Sequence, residues 1–393
     1  MSFTLKMKLF KPYPFLLICL GFCGLMFFIE NKNGAFLLND FKVYYEASRE
    51  FINDGQPYGQ AFGLSSGFFK YSPATLLVFL PYTVFSFETA RILHFVLISF
   101  MAFFVFRHCL ELGRKYHPGF NRPRTLGFLS LLLLFSVVHL TRELHMGNMN
   151  LALLLLALAG IQLTLKAKII PASLLFALLF LVKPYFAILI LPLIIAKKWR
   201  LLVYTFCGMT IISLLPALFV GIAETIDLHI AWLETMKMHN TGMFSEHTFT
   251  SIVFSYTAIQ LGANWQYVFI LLTGLVYLLI RFNHFTGKKH YTTAGFIGDL
   301  FILTALIPNL VITDSQHFLF TLPLLGLILI HLAEKPSFAK ISLFVILFFF
   351  YGANSNDLLG NPLSDWFDTY STIGVANLGL IGFFCFLRKD VNA

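Results

Sequence analysis

The chain has 393 residues, of which 58% are hydrophobic, 17% aromatic and only 12% charged. A soluble domain carries about 25% charged residues, so a soluble globular fold is excluded, and the mean hydropathy of +0.78 marks an all-α polytopic membrane protein. The net charge of +9 is no sign of a nucleic-acid partner, because its distribution follows a membrane topology.

The first apolar run, PFLLICLGFCGLMFFI (14–29), follows Lys6, Lys8 and Lys11 and precedes no small-x-small cleavage site. It reads as an uncleaved first helix with its N-terminus inside. Further spans are expected at 89–106, 126–141, 150–165, 169–182, 184–196, 201–220, 264–282, 293–311, 318–333, 338–353 and 371–387. With the first, at 13–30, that makes about twelve, both termini cytoplasmic. Twenty of the 28 Lys and Arg lie in clusters between these runs, at 6–11, 107–124, 166–168, 197–200, 281–289, 335–340 and 388–389. All of them fall inside if FFKYSPATLLVFLPYTVF (68–85) dips into the outer leaflet and returns, as Pro73 and Pro81 favour. The same threading makes 172–196 two short helices meeting at Lys183-Pro184. Residues 1–393 then form one integral membrane domain, with a first external loop at 31–88 and a second at 221–263. The five cysteines show no metal-binding spacing and read as buried small hydrophobes.

Ionisable residues collect on the outer face of this threading, where such groups are costly and tend to be functional. In LLNDFKVYYEASREF (37–51), Phe41, Tyr44, Tyr45, Ser48, Phe51 and Ile52 recur at helical spacing. An amphipathic interfacial helix is expected, with Asp40 at its N-cap. A cap keeps a carboxylate ionised, which a general base also requires. LTRELHMGNMNLALLL (140–155) brings Arg142, His145, Asn148 and Asn150; VKPYF brings Lys183; 221–263 brings His229, Glu234, His239, Glu246 and His247; PNLVITDSQHFLFTLP (308–323) brings Asp314, Gln316 and His317. The histidines lack HxxxH or HExxH spacing, so no metal site is expected, and no Walker or GxGxxG loop is present.

Five elements occur in order: DFKVYYEASREFINDGQPYG, FKYSP (69–73), GNMN (147–150), LVKPY (181–185) and ITDSQHFLFTLP. Together they resemble glycosyltransferase family 87, polytopic membrane enzymes that use polyprenyl-phosphate sugars. The resemblance runs from about residue 36 to 330, with GNMN where a GQ form is commoner and DSQH where SW-x-x-H is frequent. It implies a GT-C-type fold with an amphipathic or re-entrant first external loop. It also implies inverting transfer of a sugar, most often mannose, to a glycolipid, glycan or protein, in cell-envelope glycan synthesis on the periplasmic or exterior face of the plasma (inner) membrane.

On that resemblance Asp40 is the general base. Lys183, Arg142 and Lys70, with His317 and Gln316, are candidates for the donor phosphate. Tyr44, Tyr45, Tyr71, Asn148, Asn150, His247 and Asp314 are candidates for the sugar or acceptor. No cofactor and no obligatory metal is expected. A ligase or polymerase with a diphosphate-linked donor, or a secondary transporter, stays open as an alternative, although no internal repeat supports a transporter.

Overall fold

The computed structural model describes residues 13–53, 56–63, 67–120, 125–242, 245–262, 264–311 and 314–392. Lys6, Lys8, Lys11, Arg122 and Arg124 lie outside them. Among the described residues the only extended pairing is an isolated bridge between Ala61 and Phe68; everything else that is regular is helical.

Helix α1 (Tyr13–Lys32) leads through Leu38, at φ +48°, into α2 (Asn39–Asn53). The helix starts two residues earlier than expected, so Asp40 stands in its first turn rather than at the cap. The apolar stripe is buried through Phe41, Tyr44, Tyr45, Ser48 and Phe51, but Ile52, in the last turn, is 54% exposed. Pro73 opens α3 (Pro73–Phe79), which runs on as a 3-10 helix over Leu80–Val84. At roughly 1.5–2 Å per residue these seven and five residues are too short to cross a bilayer. They lie against α2, where Ser48 Oγ donates to Leu76 O at 3.0 Å and Tyr45 Oη to Phe85 O at 2.8 Å.

Helix α4 (Phe87–Tyr116) overruns its expected end, so the basic residues of 107–115 sit on helix rather than loop. Ser86 caps it, and Arg114 and Lys115 complement the dipole in its last turn. α5 (Thr125–Leu134) and α6 (Val137–Met146) are bent by 65°, and Gly147, at φ +64°, ends α6. α7 (Asn150–Leu165) and α8 (Ile169–Val182) keep the expected bounds. Lys183 is extended before Pro184, after which a 3-10 helix (Pro184–Leu189) and α9 (Ile190–Ile195) run back.

Next come α10 (Trp199–Leu214) and α11 (Ala217–Val220). The expected second loop is mostly helix, in α12 (Ile222–Gly242) and α13 (Phe249–Thr257). α14 (Trp265–Phe285), α15 (Thr293–Leu310), a 3-10 helix (Ser315–Thr321), α16 (Leu322–Glu334) and α17 (Phe338–Gly352) follow. α18 (Asn356–Leu359), α19 (Asn361–Thr369) and α20 (Thr372–Asn392) close the chain, the last two bent by 62°. Among the described residues six helices are long and apolar enough to cross a membrane, and eight if each bent pair is one span. Four of the expected twelve, at 150–165, 169–182, 184–196 and 338–353, are shorter apolar helices.

Small residues set the closest helix approaches. A Cβ on Gly160 of α7 would stand 3.2 Å from Phe176 of α8, and one on Gly208 of α10 would stand 3.2 Å from Ala177 Cβ. Buried polar groups join α15 to α20. Asn377 donates to Ala305 O (2.8 Å) and Asn309 Oδ1 (2.7 Å) and accepts from Thr321 (2.7 Å).

At the other end of α15, Asp299 accepts from Arg281 (2.7 and 2.5 Å), Arg388 (2.7 Å), Tyr277 (3.0 Å) and Tyr291 (2.7 Å). Asp299→Asn leaves two guanidinium groups facing a neutral amide. The expected loss is about 3–5 kcal/mol, read as a lower Tm of the purified protein in detergent.

Candidate active site

A cavity of about 1720 Å³ opens where α2, α6, the end of α8, α14, α15 and the 3-10 helices at Pro184 and Ser315 converge. Four sequence neighbourhoods bring their polar ends to it because each helix ends there. α8 ends at Lys183, α6 ends before Asn148, α15 ends before Asp314, and α2 begins at Asn39.

Asp40 Oδ2 accepts from Asn148 Nδ2 at 2.5 Å. The amide faces this way because Asn148 Oδ1 already accepts from Met149 N at 2.7 Å. Gly147 lets the two chains meet, since a Cβ there would stand 3.0 Å from Leu38 Cβ and 3.1 Å from Phe41 Cβ. His94 secures both sides of the contact. Its Nε2 donates to Gly147 O at 3.0 Å, and its ring stacks on Phe41 with centroids 4.2 Å apart.

Burial pushes the Asp40 carboxyl up to about 6, partly offset by the Asn148 hydrogen bond; Asp314 adds to the rise, and Lys183 and Lys70 oppose it. A raised carboxyl is protonated below that value, so a base at this position works above about pH 6 and fails below it. Asn148→Ala removes the stabilising donor and is expected to move the acid limb of kcat/KM to higher pH, as a pH–rate profile would show. A profile identical to wild type would mean that the bond does not act on Asp40.

Lys183 is buried, and its Nζ donates to Asn150 Oδ1 at 2.8 Å and to His317 Nε2 at 2.9 Å. His317 Nδ1 then donates to Asp314 O at 3.2 Å, which fixes the tautomer. Asn150 in turn donates to Glu143 Oε2 at 2.9 Å, and Glu143 Oε1 accepts from Leu151 N at 3.0 Å. The ammonium also lies 5.6 Å from the Tyr71 ring centroid and 5.7 Å from that of Tyr185. Tyr71 and Tyr44 share a hydrogen bond at 3.0 Å. Half-buried Lys70 also reaches the wall, with its ammonium pKa lowered by burial. Gln316 is buried, donates to Asp314 Oδ2 at 3.2 Å, and has no partner for Oε1 among the described residues.

Asp40, Lys70, Lys183, His317, Gln316, Asp314, Tyr44, Tyr71 and Asn148 thus line one cavity, as do Arg142 and His247. Two expected contacts are not on its wall. Tyr45 is buried against Phe87 and bonded to Phe85 O, so it anchors α2 instead of stacking on a sugar. Asn150 sits behind Lys183 and bridges it to Glu143. Arg142, on the same wall, acts electrostatically on Glu246 and Asp368.

Sequence reasoning missed Glu143, His94, Tyr185 and the stretch Asn354–Asp368. The first two carry the signal of an ionisable side chain inside an apolar run. The last is NSNDLLGNPLSDWFD, a polar and aromatic stretch between two spans.

Beyond the polar wall the cavity continues as an apolar arm between α14 and the returning α9 segment, lined by Ile188, Leu191, Leu271, Leu275 and Leu278. Gly274 lies on this arm, where a Cβ would meet only Leu191 Cδ1, at an ordinary 3.9 Å.

The family model of glycosyltransferase family 87 matches residues 68–308 of the chain. That range holds Lys70, Tyr71, Glu143, Asn148 and Lys183, while Asp40 and His317 lie outside it. No curated protein and no solved structure matches.

Proposed function

The chain belongs to glycosyltransferase family 87, and from that premise we propose that it moves a sugar, mannose first, from a polyprenyl phosphate to a glycolipid, glycan or protein acceptor. One observation carries the reading. A single cavity joins a half-buried carboxylate and two lysines to an apolar arm along α14. A lipid-linked sugar phosphate has that layout, with an acyclic hydrocarbon tail, an anionic link and a sugar in sequence. A soluble nucleotide sugar has no use for the arm.

In the proposed step Asp40 takes the proton of an acceptor hydroxyl while that oxygen attacks the anomeric carbon. The bond from that carbon to the phosphate oxygen breaks, its electron pair leaves with polyprenyl phosphate, and one displacement inverts the configuration. With a pKa of about 6, about nine-tenths of the carboxyl is ionised at pH 7. Lys183 and Lys70 stand where they can offset the charge that grows on the leaving phosphate, each by up to a few kcal/mol. His317 holds Lys183 in place. Two cations suffice for a monophosphate leaving group, so transfer runs without a metal at the reacting atoms.

Helices α7, α8 and α15 carry their cavity ends at Asn150, Val182 and Leu310, and their opposite ends beside Lys166, Lys168 and Lys289. Under the positive-inside rule this distribution supports a multi-pass protein with the cavity on the outer face of the membrane.

The test is a donor panel on the purified protein in liposomes: polyprenyl-phosphate mannose, other polyprenyl-phosphate sugars, polyprenyl-diphosphate sugars and nucleotide sugars, with a membrane-extract acceptor. Transfer from a monophosphate donor with release of polyprenyl phosphate is expected. Turnover of only the diphosphate donors would replace this reading with a ligase or polymerase, and turnover of only nucleotide sugars would leave the arm unexplained and the proposal wrong.

A further inference from the structure

The same cavity carries a second cluster of ligating groups that the transfer step does not use. Glu246 and His247 precede α13, and Asp368 lies in α19. We propose that Glu246, His247 and Asp368 bind a divalent transition-metal cation of the Zn²⁺ or Mn²⁺ type. One donor atom from each lies within 4.8 Å of the others, and His247 Nε2 stands 3.9 Å from Asp368 Oδ1. That distance is too long for a hydrogen bond. Two ligands of a tetrahedral ion, each about 2.0–2.2 Å from it, stand about 3.3–3.6 Å apart. Closing the three onto an ion therefore takes side-chain shifts of up to about 1 Å, open to the exposed Glu246 and the half-buried Asp368.

The histidine supplies an independent observation. It is only 3% exposed, lines the cavity, and its Nδ1 has no hydrogen-bond partner among the described residues. An idle buried ring nitrogen costs on the order of 1–3 kcal/mol, a cost that ligation through Nδ1 removes and ligation through Nε2, the nitrogen 3.9 Å from Asp368, does not.

The ligands are also held in place. His247 O accepts from Asn309 Nδ2 at 3.0 Å. Gly374 of α20 approaches the same carbonyl so closely that a Cβ there would stand 2.5 Å from it. Phe318 packs edge-on to the imidazole, with centroids 5.6 Å apart. Asp368 Oδ1 accepts from Asn354 Nδ2 at 2.5 Å, the outer support that ligating carboxylates usually have.

One imidazole with two carboxylates favours a first-row transition ion over Mg²⁺ or Ca²⁺, which take oxygen ligands. Arg142 is the cation felt by all three ligands, and Asp314 and Asp365 line the same cavity. A bound ion would tie α13 to α19 across the cavity wall. No ligand spacing shows in the sequence because six α-helices and a 3-10 helix separate His247 from α19, which holds Asp368.

The test uses the full chain in detergent, stripped with EDTA and titrated with Mn²⁺, followed by electron paramagnetic resonance, and with Co²⁺, followed by visible absorption. One equivalent is expected to bind. Glu246→Gln and Asp368→Asn should each weaken it at least about tenfold, and Asn354→Ala by about 10–100-fold through the outer support. Asp40→Asn should bind as wild type does, so the result stands apart from the transfer reading. The exposed Glu246 can be changed with little risk to folding. Absence of binding at millimolar metal, or binding indifferent to both ligand substitutions, would overturn the proposal.

Discussion

Asp40→Asn is expected to lower kcat/KM for sugar transfer by about 10²–10⁴-fold, the usual worth of a positioned base, while the protein keeps its fold and its affinity for the donor. The amide has the shape of the carboxylate, and its oxygen can still accept from Asn148, so the contact that seats α2 on the 147–150 turn survives. What is lost is the ability to hold a proton. The companion measurement is the pH profile of wild type. kcat/KM should fall about tenfold per pH unit below about 6 and level off above it, in line with a carboxyl raised by burial. If Asp40→Asn turns over normally, Asp40 is only a first-turn acid placed on a helix dipole, and the base must be sought elsewhere on the wall.

The second large effect is expected at Lys183. Lys183→Met should reduce kcat by about 10²–10³-fold, the loss seen when one fixed electrostatic stabiliser is removed. It should also destabilise the protein, because Glu143 lies buried one amide away, through Asn150, and loses the cation that offsets its charge. A loss of about 3 kcal/mol, the lower end for breaking a buried pair, is expected in thermal unfolding. The double variant Lys183→Met with Glu143→Gln separates the two roles. Stability should return, since no buried charge is left alone, and activity should not. Recovery of both in the double variant would mean that Lys183 only neutralises Glu143 and that the leaving phosphate is met by another group, Lys70 first.

These two residues also show how far the chain could be read before its structure. Asp40 and Lys183 stand out in the sequence because each is a charge beside an apolar run, and the bilayer makes such charges rare. Glu143 has the same signal, but its neighbours Arg142 and His145 mask it. Arg142 stands out for the same reason, and its charge acts on Glu246 and Asp368, neighbours that the sequence does not reveal.

The sequence by itself determined what depends on local pattern. Runs of apolar residues define α7 and α8 to the residue, Pro184 breaks the helix after Lys183, and the basic clusters sort the helix ends. Each is settled by neighbours within a turn or two, or by the contrast between hydrocarbon and water. Only the tertiary structure decided which polar ends share a cavity. Asn148 meets Asp40, Lys183 meets His317, and His247 approaches Asp368 across separations that no periodicity spans. Those meetings follow from how bent and broken helices pack, through close contacts at Gly147, Gly160 and Gly374. Packing is a property of the whole set of side chains rather than of any one stretch.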